Sequence, residues 1–511
     1  MSAVADTATP AKRETARRIS RLYTKQGLVY VVGFGVQRAI HLALLPFYTH
    51  MIGAAGYGLL QLLSTYGQFL VALLQHGQTT AFVRLGFEVE SEAELRRLQA
   101  TVVWHLLFVA TLVATLLALT GHWWAEWLAW GVPFWPFGAL LVGHCVCAVF
   151  ISLYDQHLAA LQRAVDSSLL SVGRTLLMAV LVLALVVWLE LGVLGKLIAD
   201  AVTAFAGAVI ALRALAPGHP RDISAAWRRR ALGYGLPLLP HAFAGLVNSF
   251  IDRVMVHAFL GLSAVGVYSL ASQLIANGVL LLTSFNRSFA PAFVETAREA
   301  QELERQGDSA AAAARLEGLS LACLRLFLVG VLIFAGLCTV LKELVGLLAP
   351  AAFEEAWRIG PLLGAGMMAT ALYHALNQAL IFTAKGTRIL PLITGCAALT
   401  NIAANWWLLP RYGLQGAALA TFGSNLILPL GSALGARSVL RLPHKVWRWA
   451  VLGLSALVYL GCVAAVDHAA WQWWQGLGLK LALYLVLALV LAPVAELSLR
   501  HWLRRALTFR F

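Results

Sequence analysis

Residues 247–259 read VNSFIDRVMVHAF, an apolar stretch that holds an acid and a base side by side, Asp252 and Arg253. On a helix, His241, Gly245, Asn248 and Asp252 follow the spacing i, i+4, i+7, i+11. They then lie within roughly 40° of one another, with Arg253 about 100° further round. One wide polar face can hold all of them. The run ends soon after Arg253, which puts the base roughly 12 Å from that end. An arginine stem spans part of such a distance, so an interfacial ion pair with Asp252 is one reading.

Other apolar runs carry polar stripes as well. Gln37, Arg38 and His41 share the first run. Gln61, Thr65, Gln68, Gln75 and Thr79 share the second. Ser269, Gln273, Ser284 and Arg287 form a stripe, His374, Asn377 and Gln378 a cluster, and Asp200 stands alone. Arg38 lies about a dozen residues from either end of its run, and a lipid-facing arginine at that depth costs at least about 2.5–3.5 kcal/mol. It therefore faces an aqueous cavity or a partner. The stripes either line such a cavity or hold helices together through polar contacts. Arginines and histidines outnumber acids in this inventory, which suits an anionic substrate such as a phosphate or pyrophosphate, recognised by the planar guanidinium. The candidate binding residues are Arg38, Arg253, Asp252, Asn248, His41, Gln37, Gln61, Gln68 and Gln273. Asp252, Asp200 and His41 are the candidates for ion coupling.

Signals for catalysis fail. GKL at 195–197 lacks the upstream glycine and the Ser/Thr of a phosphate-binding loop. GAGMMA at 364–369 sits in an apolar run, where glycines pack helices. HCVC at 144–147 has no second ligand pair. No catalytic residue, metal or cofactor is expected.

These residues must be positioned by membrane helices. The chain has 511 residues, of which 60% are hydrophobic and 12% charged, against roughly a quarter charged in soluble proteins. The hydrophobic core of a bilayer needs roughly 20 apolar helical residues. Fourteen runs qualify, at about 26–49, 56–78, 100–120, 133–153, 169–189, 193–213, 232–258, 265–287, 319–341, 360–383, 389–409, 415–436, 448–466 and 477–497. Fourteen spans place both termini on one side, and thirty of the 38 Lys and Arg fall on that side. The positive-inside rule makes it cytoplasmic, with the apolar run after residue 26 read as a retained span. The net charge of +14 is then cytoplasmic-face charge and needs no nucleic acid. The opposite side carries HWWAEWLAWGVPFWPF (122–137) and AAWQWWQ (469–475), which read as interfacial aromatic anchors, with sugar stacking as the alternative. All six cysteines fall in apolar runs, where helix packing is the default. Neither side carries a large soluble domain.

The second half repeats the first. IGAAGYGLLQL (52–62) corresponds to LGLSAVGVYSL (260–270), and LELGVLGKLIAD (189–200) to LPRYGLQGAALA (409–420). Spans 7–12 copy spans 1–6 in the same orientation, a plan that places a substrate site between halves. The expected organisation is a basic cytoplasmic tail (1–25), an N-lobe (26–213), a linker (214–231) and a C-lobe (232–436). Two further spans and a basic tail follow (437–511).

YGLPLLPHAFAGLVNSFIDRVMVHAFLGLSAVGVYSLA (234–271) resembles the start of the second lobe in bacterial polysaccharide and O-antigen (Wzx-type) flippases of the multidrug/oligosaccharidyl-lipid/polysaccharide (MOP) exporter superfamily. LPFYTHMIGAAGYGLLQL (45–62), TTAFVR and YGLQGAALAT (412–421) fit the same pattern. The resemblance implies an all-α polytopic fold of two parallel-repeat six-helix lobes plus two C-terminal helices. It implies translocation of a polyprenyl-pyrophosphate-linked oligosaccharide to the outer leaflet of the cytoplasmic membrane, with membrane lipids and the pathway's polymerase and chain-length components as partners. The related lipid II flippases carry an Asp-Arg pair that Asp252 and Arg253 match and a first-span arginine where Arg38 stands. A multidrug or small-molecule exporter of the same superfamily is the alternative.

Overall fold

The computed structural model describes residues 10–127, 131–216, 218–383, 386, 389–469 and 471–496. The side chains of 10–28, the C-terminal tail after 496, Lys385, Arg388 and the His241 side chain lie outside the described set. The described residues are helical and contain no strand. They divide into two compact units, residues 1–243 and 244–511.

The first unit holds α1 (Pro10–Gln75), α2 (Gln78–Gly86), α3 (Glu92–Trp127), α4 (Ala139–Ala160), α5 (Ala164–Val182), α6 (Gly192–Leu215) and α7 (Ala225–Gly235). The boundary falls inside α8 (Leu239–Leu260). The second unit continues with α9 (Leu262–Arg305), α10 (Ser309–Thr339), α11 (Leu341–Leu348), α12 (Glu355–Ile381), α13 (Leu390–Ala436), α14 (Val446–His468) and α15 (Trp473–Val494).

Among the described residues, twelve helices are long and apolar enough to cross a membrane. Two of them are double. α1 breaks at Gly53 (φ 71°, ψ 179°) and α13 at Gly413 (φ 55°, ψ −138°). With both arms of each counted, the helices offer about fourteen spans, as the apolar runs predict. Large apolar side chains stand exposed along them, Phe108 and Leu169 at 67% among them. On a soluble protein such a surface would aggregate; across a bilayer it is solvated by lipid.

The repeat is written into the turns. Gly261, ahead of α9, has φ 82° and ψ −179°, close to the conformation of Gly53. Gly192, at the start of α6, has φ 54°, close to Gly413. With positive φ and ψ near 180° the backbone occupies a region open essentially to glycine alone. Three residues on, a Cβ added to Gly195 would meet the Leu185 carbonyl oxygen at 2.9 Å, and one added to Gly416 would meet that of Leu408 at 2.4 Å. Both turns thus use a first glycine for chain reversal and a second for close helix approach.

Within the first unit α4 packs on α6 and α1 on α5; within the second α12 packs on α13, α9 and α10. Lipid offers no hydrophobic drive between helices, so close backbone approach matters most. α12 supplies it with a buried series of small residues, Gly360, Gly364, Ala365, Gly366, Ala369, Ala371 and Ala375. The Gly364 position faces the Cys338 thiol and Gly366 faces Phe422 and Asn425.

Candidate functional site

In the second unit the Asp252 and Arg253 side chains leave α8 on different sides. Asp252 is 8% exposed. Its Oδ2 accepts from the Tyr268 hydroxyl of α9, and its Oδ1 accepts from the Arg253 backbone N–H at 2.8 Å. The Tyr268 hydroxyl also lies 3.0 Å from Thr421 Oγ1 on α13. The carboxylate therefore ties three helices together.

The Arg253 guanidinium approaches that carboxylate only to 3.9 Å. Its nearer partners are neutral: Nε donates to Ser269 Oγ at 3.3 Å and Nη1 to the Ser249 carbonyl at 3.3 Å. The guanidinium also sits over the Phe250 ring at 5.1 Å. At 3.9 Å the ion pair is at the outer limit of contact: Asp252 still offsets part of the Arg253 charge, while neutral acceptors hold the guanidinium in place. Asn248, one turn earlier on α8, has a buried Oδ1 with no hydrogen-bond partner. Gln273, on α9, is half-buried.

Tyr268 and Thr421 were missing from the residues read as functional. Tyr268 lies in the stretch GVYSL after the turn and Thr421 in the stretch YGLQGAALAT, segments that carry the repeat and the family resemblance but were given no role at the site. A second buried polar chain runs along α13, where Asn405 donates to Asn401 Oδ1 at 3.0 Å and Asn401 donates to Ser424 Oγ at 3.0 Å. Gln378 of α12 donates to Asn286 Oδ1 of α9 at 2.6 Å. These contacts are helix glue in the sense the polar stripes allowed.

In the first unit, Gln37 and His41 bond within their own helix. Gln37 Nε2 donates to the Gly33 carbonyl at 3.2 Å, and His41 Nδ1 lies 2.8 Å from the Gln37 carbonyl. Arg38, Gln61 and Gln68 are half-buried on α1 and His41 is exposed. Asp200 forms an ion pair with Lys196 one turn earlier on α6.

The residues α4 and α5 bring together escaped sequence reasoning. A cavity of 450 Å³ is lined by Tyr30, Ser152, Asp155, Gln156, Ser167 and Arg174. Asp155 Oδ1 and Arg174 Nε are buried beside it without hydrogen-bond partners. The thirty basic residues read as lying on the cytoplasmic side include Arg174. It stands ten residues into α5, about 15 Å along the helix. Asp155 is thus an acid that a cavity in the first unit reaches.

Comparison with known proteins places the fold. The family model for polysaccharide biosynthesis proteins matches residues 23–297. No curated protein sequence matches the chain. Among solved structures, the lipid II flippase MurJ in an inward closed conformation aligns with a TM-score of 0.67 at 12% identity, over 91% of this chain and 98% of that one. A multidrug resistance MATE family transporter of the MOP superfamily, outward-facing, aligns at 0.55 and 15% identity over 82% and 95%. A MOP superfamily transporter from Pyrococcus furiosus aligns at 0.54 and 15% identity over 86% and 96%. At such identities the likeness is one of fold, and it covers both halves of the repeat. With the family match spanning more than half of its length, the chain belongs to the polysaccharide biosynthesis protein family and has the MOP fold.

Proposed function

We propose that this protein is a flippase that moves a polyprenyl-pyrophosphate-linked oligosaccharide from the inner to the outer leaflet of the cytoplasmic membrane by alternating access, in the making of a surface polysaccharide. The observation that carries the reading is Arg253, a cation set in a membrane helix that hydrogen-bonds to neutral groups and meets its neighbouring carboxylate only at 3.9 Å, with that carboxylate also bonded to Tyr268. A charge in a membrane helix is costly, so its presence points to a task, and we assign it the attraction of a pyrophosphate. Arg38 in the first unit is assigned the same role. Asn248, Gln37, Gln61, Gln68, Gln273 and His41 are assigned to the sugar-bearing head. The polyprenyl tail stays in lipid throughout. Asp155 joins Asp252, Asp200 and His41 as a candidate for ion coupling.

Lipid extracts of cells lacking the protein test the reading. A polyprenyl-pyrophosphate oligosaccharide accumulates on the inner leaflet, protected from enzymes added outside, while surface polysaccharide disappears. Arg253→Ala at normal protein level reproduces that phenotype, because loss of a charge-assisted contact worth about 1.5–3 kcal/mol lowers binding roughly 10- to 100-fold. Arg253→Lys restores part of the activity, since lysine keeps the charge but loses the planar donor pair. The second reading, export of a drug or small molecule, draws on the fold shared with the MATE transporter. It predicts normal lipid pools, normal surface polysaccharide and a new drug sensitivity in the same cells.

A further inference from the structure

A second cavity, of 670 Å³, lies wholly within the second unit. Its wall comes from α11, from the start of α12, from the end of α14 and from the start of α15. By the distribution of basic residues this end faces outside the cell. The volume is within the roughly 300–1,000 Å³ typical of ligand pockets.

The floor is an ion cluster that the apolar run of α15 conceals. Lys480 is fully buried, and its Nζ donates to Glu343 Oε1 at 2.8 Å, to Glu343 Oε2 at 2.9 Å and to Asp467 Oδ1 at 2.8 Å. All three ammonium protons are thereby used. Two carboxylates share this one cation, and each retains lone pairs able to accept from hydroxyl groups. The second lysine, Lys342, is engaged too: it donates to the Asp467 carbonyl and sits 4.7 Å from the centre of the Trp357 ring.

The rim is aromatic and amide. Trp471 and Trp473 line the cavity with 53% and 73% of their surfaces exposed, and Gln472 stands between them. Glu354 lines the opposite side. Trp357 is buried, and its ring is covered by Lys342 and Arg358, so it serves as wall. An open cleft with two exposed indole faces, carboxylate acceptors and an amide fits an uncharged sugar. C–H faces of a pyranose pack on the indoles, and hydroxyls donate to the carboxylates. An anion has no place here, since three acids line the cleft and both lysines are already spent.

We infer that this cavity binds an uncharged saccharide unit on the outer face, and that the transported oligosaccharide supplies it after crossing. The inference deepens the flippase reading and rests on it for the source of the sugar. It also gives the two spans outside the repeat a task, since α14, α15 and the turn between them supply Asp467, Trp471, Gln472, Trp473 and Lys480.

The test uses the full chain in lipid nanodiscs, with maltotriose and chitotriose as neutral probes and inorganic pyrophosphate as the anionic one. Binding is read by calorimetry and by saturation-transfer NMR. The expected result is millimolar-range binding of at least one trisaccharide, unaffected by pyrophosphate. Trp473→Ala and Gln472→Ala each weaken it by about tenfold, or roughly 1.4 kcal/mol. Trp474→Ala, an exposed tryptophan outside the cavity lining, leaves it unchanged. The inference is overturned if neither trisaccharide binds, if pyrophosphate competes, or if Trp474→Ala weakens binding as much as Trp473→Ala does, which would make these residues an aromatic belt only. In cells, Trp471→Ala/Trp473→Ala lowers surface polysaccharide. Unchanged polysaccharide would assign the pocket to a membrane glycolipid and overturn the stated source. Inner-leaflet accumulation in cells lacking the protein judges the flippase reading separately, so either idea can fail alone.

Discussion

Asp252 and Arg253 are neighbours in the chain, but the helix turns them about 100° apart. That rotation gives them different partners. Asp252 joins Tyr268 and Thr421, and Arg253 joins Ser249 and Ser269. A shorter pair would offset more of the arginine's charge than the 3.9 Å contact does. Outside the spans, His444 shows the same dependence on surroundings. Its Nδ1 lies 2.8 Å from Ser320 Oγ, and its ring meets Trp449 edge-on. Burial holds its pKa below the ordinary histidine value. The nearby charges are already paired, Lys445 with Glu317 and Arg448 with Glu496. A histidine kept neutral by folding binds its proton more readily in the unfolded chain. Its contribution is therefore present above the unfolded value near about 6.5 and is lost as pH falls through the lower folded value. Thermal unfolding in detergent between pH 8 and pH 5 should show this fall, and His444→Gln should flatten it. A fall of the same size in the variant would remove His444 as its cause.

At the scale of elements, the turns set the architecture. Gly53, Gly261, Gly192 and Gly413 all carry positive φ at corresponding places of the two copies. Gly413→Ala forces a Cβ into a backbone conformation that costs of order 1–3 kcal/mol. Gly423→Ala is its control, because a Cβ there meets nothing within 4 Å. The expected outcome is a lower unfolding temperature for Gly413→Ala alone. Equal behaviour of the two variants would mean that the turn adapts without strain. The polar ladder of Asn401, Asn405 and Ser424 works at this scale too, holding the two arms of α13 together. Of the polar residues read from the sequence, Gln378 joins helices in this way, through Asn286.

At the scale of the molecule, orientation follows from charge. Of the thirty basic residues read as lying on the cytoplasmic side, Arg174 lies inside α5, so twenty-nine of 38 support the assigned orientation. A reporter active only in the cytoplasm should work when fused at Gly307, between α9 and α10, and fail at Gln472, between α14 and α15. The reverse pattern would place the saccharide pocket on the wrong face for its assigned role.

The apolar runs, the side of the basic loops and the two-fold repeat are properties of the chain read one segment at a time. Each segment meets the bilayer on its own, so local hydropathy and turn glycines already mark the spans and the repeat, and about fourteen spans and the MOP fold were legible for that reason. The candidate site was legible in part. An arginine inside an apolar run announces itself, because lipid makes it costly wherever it stands. Its partners do not. Tyr268 finds Thr421 across 153 positions, and Lys480 finds Glu343 across 137. Nothing in the local sequence marks Lys480, Asp155 or Arg174 as a member of a buried polar cluster. Only packing decides which acid is neutralised, which cation keeps its charge, and where the helices leave a cavity, because these depend on contacts between segments that no local pattern encodes.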